Sequence, residues 1–232
     1  MKKRIKNKKS QVAVFDIDGT IFRSSLQREL IMELVKYGVF PPIVKKELEK
    51  DFFSWVDRRG SYEDYIMGVV NSYEKRIPGV SVEDVRHVAR IVIGKQKNRV
   101  YTFTRDLIKK LRPTHHLVAI SGSPIEIVKE FNRIWRFDKV YGMEFEIKDE
   151  RYTGKVNFLP ITDKRAVLTN YVKQKKLSLF GSVGVGDTEN DAGFLSLVKK
   201  PICFNPNHDL YSIARKKSWA VVVERKDVIY HL

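Results

Sequence analysis

Residues 11–17 form an almost unbroken apolar run, whereas the residues that follow show a different period. A run of this kind predicts a central strand that is buried on both faces of a sheet. From about residue 23 to residue 99, apolar positions recur every three or four residues, which predicts four helices. Candidate helix starts are Ser24 or Ser25, Pro41-Pro42, Ser61 and Ser81, and candidate ends are Gly38 and Gly60. The pattern therefore predicts a helical module inserted after the first strand.

Beyond residue 100, helical and strand patterns alternate, which predicts a parallel sheet. The predicted helices are residues 104–112, 125–135, 163–175, 189–198 and 209–216. The predicted strands are residues 117–120, 182–186, 201–204 and 219–223, with a hairpin formed by residues 140–147 and 152–156. The fold class is α/β, a doubly wound, mainly parallel (Rossmann-like) sheet with an inserted helical cap domain. Three regions follow: a basic flexible tail (1–10), a core domain (11–22 and 100–232) and the cap domain (23–99).

The composition is that of a folded protein, because hydrophobic residues make up 43% of the 232 residues. The longest apolar stretches are short and interrupted by charge, and the Lys-rich N-terminus lacks the apolar segment of a signal peptide. We therefore expect a cytoplasmic protein without a transmembrane segment. Cys203 is the single cysteine, which allows no internal disulfide, and its apolar neighbours favour a small buried residue.

The chain carries 44 Lys and Arg against 28 Asp and Glu, a formal charge of +16. Such an excess either indicates a polyanionic partner or draws phosphorylated substrates toward the surface, and charge alone does not choose. Part of it lies in residues 1–10, whose like charges and missing periodicity predict a solvated tail. A nucleic-acid partner is the less favoured explanation, and a weak surface attraction to anionic lipid stays an alternative. The pattern indicates no oligomeric state.

Asp16 and Asp18 follow the first predicted strand and are separated by one residue. A rigid strand end places both carboxyl groups near one cavity. There one can attack phosphorus, and the other can exchange protons with the leaving oxygen and with water. Gly19 permits a tight turn after the pair, and the Thr20 hydroxyl can tie that turn. The alternative is a pair of turn or N-cap aspartates without a catalytic role.

Three further polar segments are predicted at the same edge of the sheet, where open α/β sheets bind ligands. Ser121-Gly122 can offer a hydroxyl and a backbone N–H to a phosphoryl oxygen beside a helix N-terminus. Lys164 can supply a fixed positive charge. The run from Gly186 to Asp191 contains three carboxylates, and hard oxygen ligands of this kind suit Mg²⁺.

In order, these four segments resemble the four motifs of the haloacid dehalogenase superfamily, over the chain from Val12 to about Val223. The helical insertion is similar to the cap of the phosphoserine phosphatase-like branch, subfamily IB. The resemblance implies a Mg²⁺-dependent phosphatase with Asp16 as nucleophile and Asp18 as general acid and base. The substrate or phosphate contacts that it implies are Thr20, Ser121, Gly122, Lys164 and Asn190. The implied metal site comprises Asp16, Asp18 through its backbone carbonyl, Asp187 and, close by, Asp191.

Phosphoserine phosphatases carry a Glu shortly after the first motif to meet the substrate's amino group, but this chain has no carboxylate there before Glu29. The departure favours another small phosphorylated substrate, although Arg58 or Arg59 can meet a substrate carboxylate. The aromatic residues of the cap are interpreted mainly as core packing, with a substrate wall as the alternative: Phe52, Phe53, Trp55, Tyr62 and Tyr65. The functional alternatives are phosphotransfer to an alcohol, a lipid-phosphate substrate, and non-catalytic polyanion binding.

Overall fold

The computed structural model describes residues 10–232, which form an eight-stranded sheet with helices on both faces. The strands are β1 (Gln11–Phe15), β2 (His115–Pro124), β3 (Lys139–Lys148), β4 (Arg151–Phe158), β5 (Ser178–Gly186), β6 (Lys200–Phe204), β7 (Ala220–Arg225) and β8 (Val228–His231). The helices are α1 (Leu26–Lys36), α2 (Ile43–Val56), α3 (Tyr62–Arg76), α4 (Val82–Gln96), α5 (Thr102–Leu111), α6 (Ile125–Trp135), α7 (Lys164–Lys175), α8 (Ala192–Leu195) and α9 (His208–Lys217).

The strands are arranged in the order β4-β3-β2-β1-β5-β6-β7-β8. The six inner strands of this order are parallel to one another, and the two edge strands, β4 and β8, are antiparallel to their neighbours. Val12 and Val14 pack into the hydrophobic cluster on one face, while Ala13 and Phe15 belong to the cluster on the other. The predicted doubly wound α/β fold with a doubly buried first strand is confirmed.

Serine residues begin three of the four helices between β1 and α5. Ser25 and Ser81 accept hydrogen bonds from backbone N–H groups of the first helical turn, and Ser61 forms a capping box with Asp64. Helices α1 to α4 share one hydrophobic cluster with the sheet, which contains Phe15 as well as Leu30. The limits of a separate cap domain at residues 23 and 99 therefore stay a prediction.

Three predicted elements differ from the structure. Residues 121–124, predicted as a turn, belong to β2, whose register with β3 shifts after Ile120. Residues 189–198 form a 3-10 turn (Glu189–Asp191) and the short helix α8, and the Asp191 carboxylate caps the start of this segment by accepting from the backbone N–H groups of Asp187 and Thr188. Strand β8 was not predicted, since all four of its residues are exposed and show no alternation of burial.

Two short segments connect the sheet to helices α1–α4, and we call them the crossing segments (residues 22–25 and 98–101). They run side by side, because the Arg23 N–H donates to the Arg99 carbonyl at 3.0 Å and Phe22 forms an antiparallel bridge with Val100. The N–H of Tyr101 also donates to the Ile21 carbonyl at 3.0 Å. The pairing fixes the two segments relative to each other and to the chain that follows β1.

Two features of the composition have structural outcomes. Cys203 is fully buried in β6, as predicted. None of the helices in residues 10–232 has the length and apolar character required to cross a bilayer. The basic tail predicted for residues 1–10 lies outside the described residues except for Ser10.

Candidate active site

Three carboxylates meet at the carboxyl edge of the central strands. Asp16 follows β1, and Asp187 and Asp191 follow the neighbouring strand β5. One carboxylate oxygen of each lies within 4.8 Å of the others, and all three residues are buried. Parallel strands end at the same edge, so two sequence segments separated by 170 residues deliver acidic groups to one point.

Lys164 supplies the positive charge of this cluster. Its Nζ donates to Asp16 Oδ1 and to Asp191 Oδ1, at 2.7 Å each, and the residue is only 3% exposed. The lysine stands in the first turn of α7, which Asp163 caps by accepting from the Ala166 N–H at 2.8 Å. Two carboxylate partners hold the pKa of Lys164 above its ordinary value against the opposing effect of burial. The lysine is therefore charged and immobile.

A single lysine does not neutralise the cluster. Burial raises the pKa of Asp16 to about 7, aided by the nearby Asp191 and Asp18 carboxylates and opposed by Lys164. Burial and the neighbouring Asp16 and Asp191 also raise the pKa of Asp187 well above its ordinary value. Asp16 Oδ2 is buried without a hydrogen-bond partner. An unpaired buried oxygen among like charges fits a bound cation, and all-carboxylate donors suit Mg²⁺.

Asp18 lies next to the cluster but faces other groups. Its Oδ2 accepts from the Ser121 hydroxyl at 2.6 Å and from the Ser123 hydroxyl at 3.0 Å, and its Oδ1 accepts from the Leu26 N–H at 2.5 Å. Burial raises the pKa of Asp18, while these three donors lower it. Asp18 thus joins the end of β1, the end of β2 and the start of α1.

The Asp18 contacts contain two groups that sequence reasoning missed. Ser123 was assigned only to a turn, although a second hydroxyl two residues after Ser121 on the same strand end is the signal that pointed to it. The Leu26 N–H belongs to the first turn of α1, where backbone donors have no partner within the helix.

Gly19 and Thr20 shape the position of Asp187. The Thr20 hydroxyl is fully buried and donates to Asp187 Oδ1 at 3.1 Å, so the prediction that it ties its own turn is wrong. Gly19 has φ of +79°, and a Cβ there would overlap the Asp187 carboxylate. Gly19 and Thr20 thus allow the segment after Asp18 to pack closely against the end of β5.

Two predicted phosphate contacts have different positions. Gly122 lies on β2 between Ser121 and Ser123, where a Cβ would meet Ile161 at 3.3 Å. Asn190 is exposed in the 3-10 turn and does not line the adjoining cavity, so the structure does not bring it to the cluster. Its neighbour Asp191 is fully buried, so adjacent residues of this turn have opposite exposure.

A cavity of about 1,010 Å³ opens beside the carboxylates, between the sheet edge and helices α1, α2 and α3. Gly19, Asp187 and Thr188 line the end of the cavity near the carboxylates, and Tyr62 of α3 also lines the cavity. Burial raises the pKa of Tyr62, and the nearby carboxylates of Asp187, Asp18 and Asp16 raise it further. The crossing segments contribute Arg23, Ser24, Ser25, Asn98, Arg99 and Tyr101. The volume lies at the upper end of the range for small-molecule sites.

The aromatic residues of α2 and α3 are partly packed against one another and partly form a wall of the cavity. Trp55 stacks on Tyr65 with ring centroids 5.6 Å apart, and Phe52 contacts both rings edge-on. Phe52, Trp55, Tyr62 and Tyr65 also line the cavity. Core packing is wrong for Phe53, which is 53% exposed. The cluster is thus packed on one side and presents a wall to the cavity on the other.

Arg58 and Arg59, the two candidates for contact with a substrate carboxylate, lie in different environments. Arg58 lines the cavity at the C-terminal end of α2. Arg59 is paired with Asp57 at 2.6 Å and lies outside the described lining. Sequence adjacency therefore does not give them the same environment, and Arg58 is the one that a bound molecule can contact.

The sequence and the fold both match known proteins. A sequence model described as "haloacid dehalogenase-like hydrolase" matches residues 13–196. The phosphoserine phosphatase SerB1 of Mycobacterium tuberculosis is 22% identical over 222 residues, covering 90% of this chain and 69% of that protein.

Two solved structures illustrate the likeness of fold. A protein of unknown function from Bordetella pertussis Tohama I superposes with a TM-score of 0.71 at 16% identity, covering 92% of this chain and 98% of the other. A phospho-aspartyl intermediate analogue of phosphoserine phosphatase superposes with a TM-score of 0.63 at 20% identity, covering 95% and 96%. Over nearly its whole length, the chain is therefore similar to these structures in fold.

Proposed function

Because this chain belongs to the haloacid dehalogenase-like hydrolase family, we propose that it hydrolyses a small phosphorylated metabolite through an aspartyl-phosphate on Asp16, with Mg²⁺ as cofactor. The observation that carries the proposal is the arrangement of Asp16, whose Oδ1 is held by Lys164 while Oδ2 is buried and unpartnered. The phosphatase named among the similar structures forms a phospho-aspartyl intermediate analogue, which supports the same chemistry for this family member. Membership of a hydrolase family favours an enzyme over the alternative of a non-catalytic polyanion-binding protein.

Asp16 is the nucleophile. An Asp16 oxygen forms the new O–P bond while the bond between phosphorus and the leaving oxygen breaks. Lys164 fixes the carboxylate and offsets negative charge on the phosphoryl group, which is favourable because the site is prearranged before the charge develops. Water then attacks phosphorus, inorganic phosphate leaves, and the Asp16 carboxylate is restored.

Asp18 is the general acid and base. It delivers a proton to the leaving oxygen in the first half-reaction and takes one from the attacking water in the second. Ser121, Ser123 and the Leu26 N–H hold its carboxyl group in one orientation. Burial raises the pKa of Asp18 above its ordinary value, which favours the proton-donating role, while its three hydrogen-bond donors oppose that shift. The same hydrogen bonds link the acid to helix α1, so the position of that helix influences the position of the acid.

The residues that would hold Mg²⁺ are Asp16, Asp187 and the backbone carbonyl of Asp18, with Asp191 beside them. The ion supplies positive charge that lets a carboxylate and a phosphate approach each other. Thr20 orients Asp187 through its hydroxyl, and Lys164 orients Asp191. Ser121, Gly122 and Lys164 are the proposed phosphoryl contacts, and residues 23–99 act as the cap that excludes water.

The test is release of phosphate from para-nitrophenyl phosphate by the wild type and by Asp16→Asn, with Mg²⁺ and with chelator. We expect metal-dependent turnover that falls by about 10⁴-fold or more in the variant, because the nucleophile is lost while the core is untouched. Chelation of the wild type should abolish turnover, and added Mg²⁺ should restore it.

The matched control is Asp149→Asn, which makes the same chemical change at an exposed hairpin turn with φ of +48° that Asn tolerates. It should retain wild-type turnover. Turnover in Asp16→Asn close to that of this control would refute the assignment of the nucleophile.

A further inference from the structure

Glu29 is the one cavity-lining carboxylate among the described residues that lies away from the catalytic cluster. It is buried in the first turn of α1, and both of its oxygens already have partners. Oε1 accepts from Ser24 Oγ at 2.8 Å and from Arg28 Nη1 at 2.9 Å, with Arg99 at 3.5 Å. Oε2 accepts from Gln96 Nε2 at 2.6 Å. A substrate ammonium group therefore finds no free carboxylate here.

Guanidinium groups dominate the same part of the cavity. Arg23, Arg28, Arg58 and Arg99 line it, and Glu29 compensates only one of these charges. Among the described residues, no carboxylate forms an ion pair with Arg23 or Arg58, and Arg23 lies over the Tyr101 ring at 5.3 Å. Stacking on a ring leaves the edge of the guanidinium, with its donors, open to a ligand.

The positive charge of these arginines is concentrated around one cavity and is not spread evenly over the protein surface. Arg23 and Arg99 are held together by the backbone hydrogen bond between the crossing segments, so two guanidinium groups project from one paired framework. Arg28 lies in the first turn of α1, which follows the first crossing segment. Like charges gathered around a cavity cost energy in the empty protein, and an anion relieves that repulsion.

We infer that this cavity selects phosphomonoesters whose leaving group carries a second anionic group, a carboxylate or a further phosphate, and disfavours those that carry an ammonium group. The inference rests on the proposed function, because the scissile phosphate must occupy the Asp16 site. The aromatic wall of Phe52, Trp55 and Tyr62 accommodates an apolar or ring-shaped portion between the two anionic groups. Phosphoserine fits poorly, since its ammonium group would face guanidinium groups.

Three aryl phosphates that differ in one substituent test this selectivity: phenyl phosphate, para-carboxyphenyl phosphate and para-(aminomethyl)phenyl phosphate. For the wild type with Mg²⁺ we expect kcat/KM to be about tenfold higher for the carboxyl compound than for phenyl phosphate, the size of a charge-assisted hydrogen bond. The aminomethyl compound should be poorer than phenyl phosphate. Equal values for all three, or a preference for the aminomethyl compound, would overturn the inference.

The double variant Arg23→Gln/Arg99→Gln should bring the ratio of carboxyl to phenyl turnover close to one. The ratio of two substrates on one preparation cancels any loss of folded enzyme, so a merely structural effect does not change it. Arg90→Gln is the matched control, because Arg90 pairs with Glu83 on the outer face of α4 and should keep the wild-type ratio. A double variant that also keeps the wild-type ratio contradicts the role of the crossing segments.

The two proposals fail differently. Turnover of phenyl phosphate without an anion preference removes the inference and leaves the phosphatase assignment intact. Absence of phosphate release from phenyl phosphate and both derivatives removes the proposed function, and the inference with it.

Discussion

The carboxylate cluster and the cavity wall are adjacent but built on different principles. Asp16, Asp187, Asp191 and Lys164 are buried where β1 and β5 end and α7 begins, and Lys164 donates to Asp16 and Asp191 at 2.7 Å each. Arg23 and Arg58 are exposed and lack ion-pair partners among the described residues. The proposed chemical step therefore lies on buried, hydrogen-bonded groups, whereas the proposed selection of the substrate lies on side chains that can change without disturbing the core.

Lys164→Met should produce the largest effect of these variants, and it tests the buried carboxylate cluster. Removal of the amine leaves Asp16 and Asp191 buried without a counter-charge, at a cost of about 3–5 kcal/mol in the free energy of unfolding. Urea denaturation in the presence of chelator measures this loss. Lys173→Met, on the exposed side of α7, is the control and should change stability by less than about 0.5 kcal/mol.

The loss in Lys164→Met should depend on pH. Burial already raises the pKa of Asp16 to about 7, and removing the opposing lysine raises it further. A carboxyl group with a raised folded-state pKa binds its proton more tightly in the folded protein, so its stability contribution is present at low pH and is lost as the pH rises through that pKa. The variant should therefore be closer to wild type at about pH 5 than at about pH 8, and a constant difference contradicts the account.

Gly19→Ala should have the next largest effect, because it displaces the carboxylate of Asp187, a proposed Mg²⁺ ligand, without deleting it. The new Cβ would overlap the Asp187 side chain, and the positive φ adds backbone strain. We expect kcat/KM to fall by about 100-fold, since catalytic groups tolerate only small displacements.

Gly38→Ala separates strain from displacement. Gly38 has φ of +73°, but a Cβ there meets nothing within 4 Å. This control should lose about 1 kcal/mol of stability and retain activity. Equal activities in the two alanine variants would show that the fit of Gly19 against Asp187 does not matter for turnover.

Asp187→Asn should have the smallest effect on stability and the opposite sign. Without metal, it removes one charge from the cluster while the amide oxygen still accepts from Thr20, so the free energy of unfolding should rise by on the order of 1 kcal/mol. Thermal denaturation with chelator measures the gain. Mg²⁺ should raise the Tm of the wild type and of Asp149→Asn but not that of Asp187→Asn. A Mg²⁺-induced shift in Asp187→Asn would argue against this residue as a ligand.

The difference between the two regions also explains what the sequence revealed. Asp16, Asp18, Ser121, Lys164, Asp187 and Asp191 were identifiable because each follows a strand or begins a helix whose pattern is local. The Thr20 contact was not, since its partner lies 167 residues away and a hydroxyl does not indicate its acceptor. Asn190 was placed at the site because it belongs to the motif, but a 3-10 turn directs neighbouring side chains to different sides.

The cavity could not be assembled from the sequence in the same way. Its lining comes from the first motif, both crossing segments, α1, α2, α3 and the segments that follow β5 and β6, and periodicity does not reveal which faces of these elements meet. The saturation of Glu29 likewise depends on Gln96 and Arg99, about seventy residues further along the chain. Charge composition predicted attraction of phosphorylated substrates, but only the packed structure locates the guanidinium groups around one volume.

The pairing of the crossing segments has a mechanical consequence. These segments are the two chain connections between helices α1–α4 and the rest of the fold, so a rotation of the four helices against the sheet would take place about them. Arg23 and Arg99 lie at the pivot, tied by a backbone hydrogen bond, and would hardly move. The backbones of two cavity-lining arginines are thus fixed to each other where the helices join the sheet, so the fold itself sets the spacing from which their charges project.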